Sequence, residues 1–153
     1  TFALYEINLY TRICAICQPL TILQWQLTSD YSPLWGDGIS RSEGPLRPTQ
    51  RFWNLRQLAM TPENSFSIPA VCSKANINTA AFANIARGET AVHMINNGAA
   101  CEAQITGLPQ NAAEATVYVT NSRQNSTSET LKPAEGSLTL TLPAESFVTI
   151  IIK

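Results

Sequence analysis

Seven short runs of alternating apolar and polar residues constrain this chain most. They cover 65–71, 76–85, 90–96, 101–106, 115–120, 137–142 and 147–152. Reversal signals separate them: Arg87-Gly88, Asn97-Gly98, Gly107-Leu108-Pro109 and Glu135-Gly136. Alternation with a period of two puts one face of an extended chain in a core. Runs this short, with turns at this spacing, predict an antiparallel β-sandwich over residues 63–153.

Ahead of residue 63 the period is helical. Phe2, Tyr5, Leu9, Ile13 and Ile16 predict a helix over 2–18, with Leu4, Ile7 and Cys14 widening its apolar stripe. Glu6, Asn8 and Arg12 supply the expected polar side, and Pro19 ends the run because Gln18 before it is pushed out of the helical region. Residues 20–28 read as a strand, with Leu23, Trp25 and Leu27 on one face and Leu20, Ile22, Gln24 and Gln26 on the other. Bulk on both faces suits a strand covered on both sides; the two glutamine amides there need partners. A second helix is expected over 48–60, entered at Pro48, capped by Thr49 and stopped by Pro62. Its expected buried stripe is Phe52, Leu55, Leu58 and Ala59, with Trp53 and Met60 beside it. Arg51 and Arg56 read as solvated or paired.

Helix, strand, loop, helix is the repeating unit of a parallel α/β sheet, and in such units functional residues sit in the loop that leaves the strand. That loop, residues 29–46, holds three glycines and two prolines, which excludes regular structure through most of it. It also holds Tyr31 and Trp35. Aromatic faces flanked by Asp, Ser and Gln suit a sugar, whose C–H faces stack on rings while its hydroxyls bond carboxylates and amides. A loop packed by its own aromatics has the same composition. One βα unit cannot close a sheet, so the chain is expected to be the later part of something larger. Its start at Thr1, with no charged leader region or cleavage site after it, leads to the same expectation.

Charged residues make up only 14% of the chain and the net charge is −1, against roughly a quarter charged in an average domain. With no basic patch, neither nucleic acid nor a membrane is expected as a partner. The longest apolar run, 147–152, is too short to span a bilayer. Low charge with many Thr, Ser, Asn and Gln suits a secreted, periplasmic or cell-surface protein that handles polysaccharide.

Cys14 and Cys17 have CxxC spacing, which invites a redox or zinc reading. Both fall inside a helical pattern, no second pair completes a zinc set, and small buried residues on a helix explain them better. Cys72 and Cys101 are left open as a pair. His93, the single histidine, has no second ligand near it in sequence and is expected to be structural or at the surface. The two aspartates, Asp30 and Asp37, are too few for an EF-hand loop. No metal and no cofactor is expected. Asn125-Ser126-Thr127 has the pattern of a glycosylation sequon.

The order of parts, with Trp-Gln-Leu-Thr-Ser-Asp-Tyr-Ser-Pro at 25–33 and a Pro-Thr helix start at 48–49, resembles the C-terminal third of a clan A retaining glycoside hydrolase, closest to family 30. Ala91-Val92-His93-Met94-Ile95-Asn96-Asn97-Gly98 and residues 140–149 look like that family's sandwich strand and last hairpin. The resemblance implies an α+β fragment: a partial (β/α)8 barrel unit over residues 1–62 (helix 7, strand 8, helix 8), then an antiparallel β-sandwich over 63–153. It implies hydrolysis of β-glycosidic bonds by two glutamates, both upstream of Thr1, so no catalytic residue is expected here. Trp25 matches the strand-eight tryptophan beside the sugar, with Tyr31 and Trp35 as further substrate-binding residues. Thr28 and Ser29 stand where the glucuronoxylanase branch has basic residues, which implies a neutral glycan. The implied partners are an oligo- or polysaccharide and the missing N-terminal barrel portion. The competing reading is a non-catalytic carbohydrate-binding or scaffolding sandwich, which a row of exposed aromatics would mark; Phe66, Phe82, Tyr118 and Phe147 read instead as core. A small redox protein using Cys14 and Cys17 is the third.

Overall fold

The computed structural model describes residues 1–23, 32–36 and 44–153. Two helices, α1 (Phe2–Cys17) and α2 (Gln50–Leu58), lie with a two-residue ribbon, β1 (Leu34–Trp35) and β2 (Arg47–Pro48), ahead of eight further strands. These are β3 (Phe66–Ile68), β4 (Ile77–Asn84), β5 (Glu89–Asn96), β6 (Cys101–Thr106), β7 (Ala115–Thr120), β8 (Thr127–Leu131), β9 (Ser137–Leu142) and β10 (Ser146–Ile152). Six of them form one antiparallel sheet in the order β3-β4-β5-β10-β7-β8, and β6 pairs with β9 in a second.

Alternation along the central strands divides the core. Val92 and Met94 of β5, Val117 and Val119 of β7, and Val148, Ile150 and Ile152 of β10 face Leu138, Leu140 and Leu142 of β9 across one side of the large sheet. The other side carries Ile95 and Phe147, which pack on Ile7, Leu4 and Tyr10 of α1 and Leu58 of α2. The molecule is therefore layered: helices, a six-stranded sheet, a two-stranded sheet. The α+β class read from the sequence is the one observed.

Each expected strand in the C-terminal part has an observed counterpart, with β6, β7 and β9 over the same residues. β8 was not foreseen. It is an edge strand, Thr-Ser-Glu-Thr-Leu, of which only Leu131 is even half-buried, so no apolar alternation marks it. Of the expected strand at 20–28, the described residues 20–23 lie outside any strand; none of the described strands pairs with them, and an unpaired extended segment is not a strand. Residues 24–28 lie outside the described residues.

Both helices bury faces other than those expected. Thr1 caps α1 by accepting from the Leu4 amide, and Gln18 closes it in the left-handed conformation at φ 48. The face against the sheet and α2 is Ala3, Glu6, Ile7, Thr11 and Cys14. Small residues there allow close approach, and the Thr11 hydroxyl is satisfied by Ile7 O at 2.8 Å. The larger stripe stays out: Phe2, Tyr5 and Ile16 are 53%, 65% and 74% exposed. In α2 the buried stripe is polar, Arg51, Asn54 and Gln57, while Phe52, Trp53, Leu55 and Leu58 are half-buried and Ala59 is exposed.

An apolar helix face of this extent promotes association. The isolated chain is expected to self-associate, its weight-average mass rising with concentration in sedimentation equilibrium. A monodisperse monomer at high concentration would contradict the expectation that the chain is part of something larger.

Candidate functional site

The sugar-site residues expected from the sequence are Trp25 on the expected strand 20–28 and Tyr31 and Trp35 on the loop after it. Trp25 and Tyr31 lie outside the described residues, as do Asp30, Asp37 and Glu43. Trp35 is described. It lies in β1, opposite Arg47 of β2, and is 59% exposed, so its ring is open to a ligand face. The ribbon is held to the second helix by Thr49, which caps α2 by accepting from the Phe52 amide and donates through Oγ1 to Pro33 O at 2.6 Å. Ser32 Oγ donates to Leu34 O at 2.6 Å. Gly36 has φ +99, and a Cβ there would lie 2.5 Å from Pro45 O, so the chain crosses itself where only glycine fits.

Glu6 was expected on the polar side of α1 and is buried instead. Arg51 grips it with two parallel bonds, Nε to Oε2 at 2.7 Å and Nη2 to Oε1 at 2.6 Å. The guanidinium carbon lies 5.2 Å from the Phe2 ring centroid, and Tyr10 donates to Glu6 Oε1 at 3.3 Å. Burial, then the adjacent Glu6 charge, push the Tyr10 phenol upward. A buried carboxylate committed to a guanidinium in this way is a structural ion pair. One turn on, Asn54 Nδ2 donates to Ala3 O at 3.0 Å. Gln57 takes the Thr120 hydroxyl on its Oε1, and its Nε2 lies 3.3 Å from Tyr118 O, Phe147 O and Thr149 Oγ1. Sequence patterning missed this polar seam because it assigns burial by hydrophobicity.

The four cysteines are free. Cys14 is buried, and burial raises its thiol pKa, the opposite of what a redox thiol requires. Cys72 and Cys101, left open as a pair, are unbridged. Among the described residues no three His, Cys, Asp or Glu side chains converge on a metal-sized site, and no helix is long and apolar enough to cross a membrane. Of the four sandwich aromatics read as core, Phe147 is buried, Phe82 and Tyr118 are half-buried, and Phe66 on edge strand β3 is 73% exposed. Edge position accounts for Phe66: β3 covers only three residues, and nothing packs beyond it in the sheet.

No family model and no curated protein matches the sequence. Solved structures do match in fold. The family 30 subfamily 8 xylanase of Clostridium acetobutylicum covers 99% of this chain at a TM-score of 0.84 and 15% identity. The catalytic domain of family 30 xylanase C from Talaromyces cellulolyticus covers 99% at 0.81 and 21% identity. The family 51 α-L-arabinofuranosidase of Thermotoga petrophila covers 99% at 0.71 and 15% identity. The chain resembles these glycoside hydrolases in fold, and it spans only 38%, 35% and 38% of their respective lengths.

Proposed function

We propose that this chain is the C-terminal part of a secreted β-glycosidase that hydrolyses O-glycosidic bonds in a neutral glycan with retention. Both catalytic glutamates lie upstream of Thr1, in the N-terminal barrel portion. Residues 1–62 then complete the barrel and residues 63–153 form its side-packed sandwich. Trp25 forms the floor of the sugar site, and Tyr31 and Trp35 shape its rim.

The observation that carries this reading is the match of nearly the whole chain, 99% of it, to about a third of each of two family 30 xylanases. Two features of the chain support it. The large apolar stripe of α1 is uncovered, as expected of a barrel helix without its neighbours. Glu6, the one described carboxylate on the barrel part, is tied to Arg51 and unfit for acid–base work. Retaining hydrolysis needs two carboxyl groups about 5–5.5 Å apart, and among the described residues of 1–62 Glu6 is the single carboxylate. The binding-module alternative lacks its marker, since Phe66 alone of the sandwich aromatics is exposed.

The test is hydrolysis of soluble neutral β-linked glycans, β-1,4-xylan and β-glucan, by the complete protein and by the 153-residue chain. The complete protein is expected to release reducing ends and the chain to release none. Turnover by the chain alone would overturn the division of labour.

A further inference from the structure

His93 is the only histidine and has no exposed surface. It lies on the helix-facing side of β5, paired with Thr149 of β10 and Ala80 of β4. Its two ring nitrogens bond hydroxyls from different layers. Nε2 is 2.8 Å from Oγ1 of Thr61, just beyond the C-terminal end of α2, and Nδ1 is 3.0 Å from Thr149 Oγ1. Thr61 gives its proton to Leu58 O at 2.7 Å, so Nε2 is the donor to Thr61. Thr149 accepts from Gln57 Nε2 and has its own proton left for Nδ1. The neutral Nε2–H tautomer thus completes a relay from sheet to helix, Thr149 to His93 to Thr61 to the Leu58 carbonyl.

Among the described residues no opposite charge faces the ring. β10 presents Thr149 and Phe147, whose ring stacks on it at 5.8 Å and 26°. β4 presents Ala80 and Phe82, the latter edge-on at 5.9 Å. α2 presents Gln57, and the turn after it presents Thr61. On the α1 side the titratable groups are the Cys14 thiol, which lines a small cavity with Thr61 and Phe82, and the Tyr10 phenol, which packs against Ile95 and Phe147 and carries no charge at neutral or acid pH. Glu6 and Arg51 engage each other. An added proton must go to Nδ1, where it displaces the proton from Thr149 and leaves an uncompensated buried cation. Burial accordingly lowers the His93 pKa to about 4.

We propose that His93 is an acid-sensitive latch: when it takes up a proton it releases α2 from the six-stranded sheet, carrying α1 along, while the sheet stays folded on β6 and β9. α1 follows because Glu6–Arg51 and Asn54–Ala3 tie it to α2. Its own bonds to the sheet, from Asn78 and Asn97 to Asn8 Oδ1 at 2.7 and 3.2 Å, are neutral and give way only secondarily. The core between the two sheets is aliphatic and has no titrating side chain among its buried members, so acid leaves it in place. In the released state His93 regains the ordinary value near 6.5. Release is therefore unaffected above pH 6.5, grows as pH falls, and levels off below about pH 4 after a gain of roughly 300-fold.

Peptide-resolved hydrogen exchange on the chain at pH 7 and pH 4.5 tests this, with rates corrected for intrinsic exchange. At pH 4.5, residues 2–17 and 50–58 are expected to exchange tenfold or more faster relative to pH 7, while β5, β7 and β10 keep their protection. His93→Gln keeps a donor and an acceptor but cannot be protonated, and should abolish the acid effect. The same acid release in His93→Gln, or no release in the unsubstituted chain, would overturn the latch. If His93→Gln does not fold, NMR titration of the His93 ring decides: protonation should track loss of helix protection, and a protonated ring beneath protected helices would overturn the proposal.

Discussion

Arg51→Met is expected to destabilise the protein by about 3–5 kcal/mol, the cost of leaving a buried carboxylate without its partner. Glu6 accepts two charge-assisted bonds from Arg51 between the helices, and its Tyr10 bond at 3.3 Å cannot compensate the charge. The same substitution also removes the cation–π contact with Phe2. Replacing both partners, Glu6→Leu with Arg51→Met, should recover most of the loss, because two apolar groups of similar volume need no compensation. Urea denaturation of the complete protein and the two variants measures both effects. A single Arg51→Met variant within 1 kcal/mol of the parent would show that the pair is solvated rather than buried, on the scale of an exposed salt bridge of about 0–1 kcal/mol.

Trp25→Ala in the complete protein is expected to lower kcat/KM on its preferred glycan by about tenfold or more. A ring stacked on a sugar contributes on the order of 1 kcal/mol by analogy with aromatic pairs, and more where the sugar ring is distorted towards the transition state. The loss should fall more on kcat than on KM, since a distorted ring uses the stacking surface most fully in the transition state. Trp35→Ala, at an exposed position on the β1–β2 ribbon, should raise KM by a smaller factor and leave kcat nearly unchanged. Wild-type turnover by Trp25→Ala with unchanged thermal unfolding would remove Trp25 from the sugar site.

What the sequence reveals here follows the physics of each layer. The strands were legible because every second residue along them is apolar and faces the core between the two sheets, and turn residues separate the runs. β8 was illegible because an exposed edge strand has no buried face to write into sequence. The helices existed where their periodicity placed them, but their buried faces were misread. In α1 the face that wins the sheet combines small residues, Ala3, Thr11 and Cys14, with one large one, Ile7, which packs on Ile95 and Phe147. In α2 the seam is polar, since Arg51, Asn54 and Gln57 are matched by Glu6, Ala3 O and the Thr120 and Thr149 hydroxyls. Burial of polar groups depends on partners far away in sequence, which no local period records. Of the candidate sugar site only Trp35 has a described position, exposed on the β1–β2 ribbon.

The central claim is that residues 1–153 complete a retaining β-glycosidase whose glutamates precede Thr1. Following the anomers released by the complete protein from a neutral β-linked oligosaccharide by proton NMR tests it most directly. The β-anomer should appear first and mutarotate afterwards, as two carboxylates about 5–5.5 Å apart require. First appearance of the α-anomer, or no hydrolysis at all, would contradict the account.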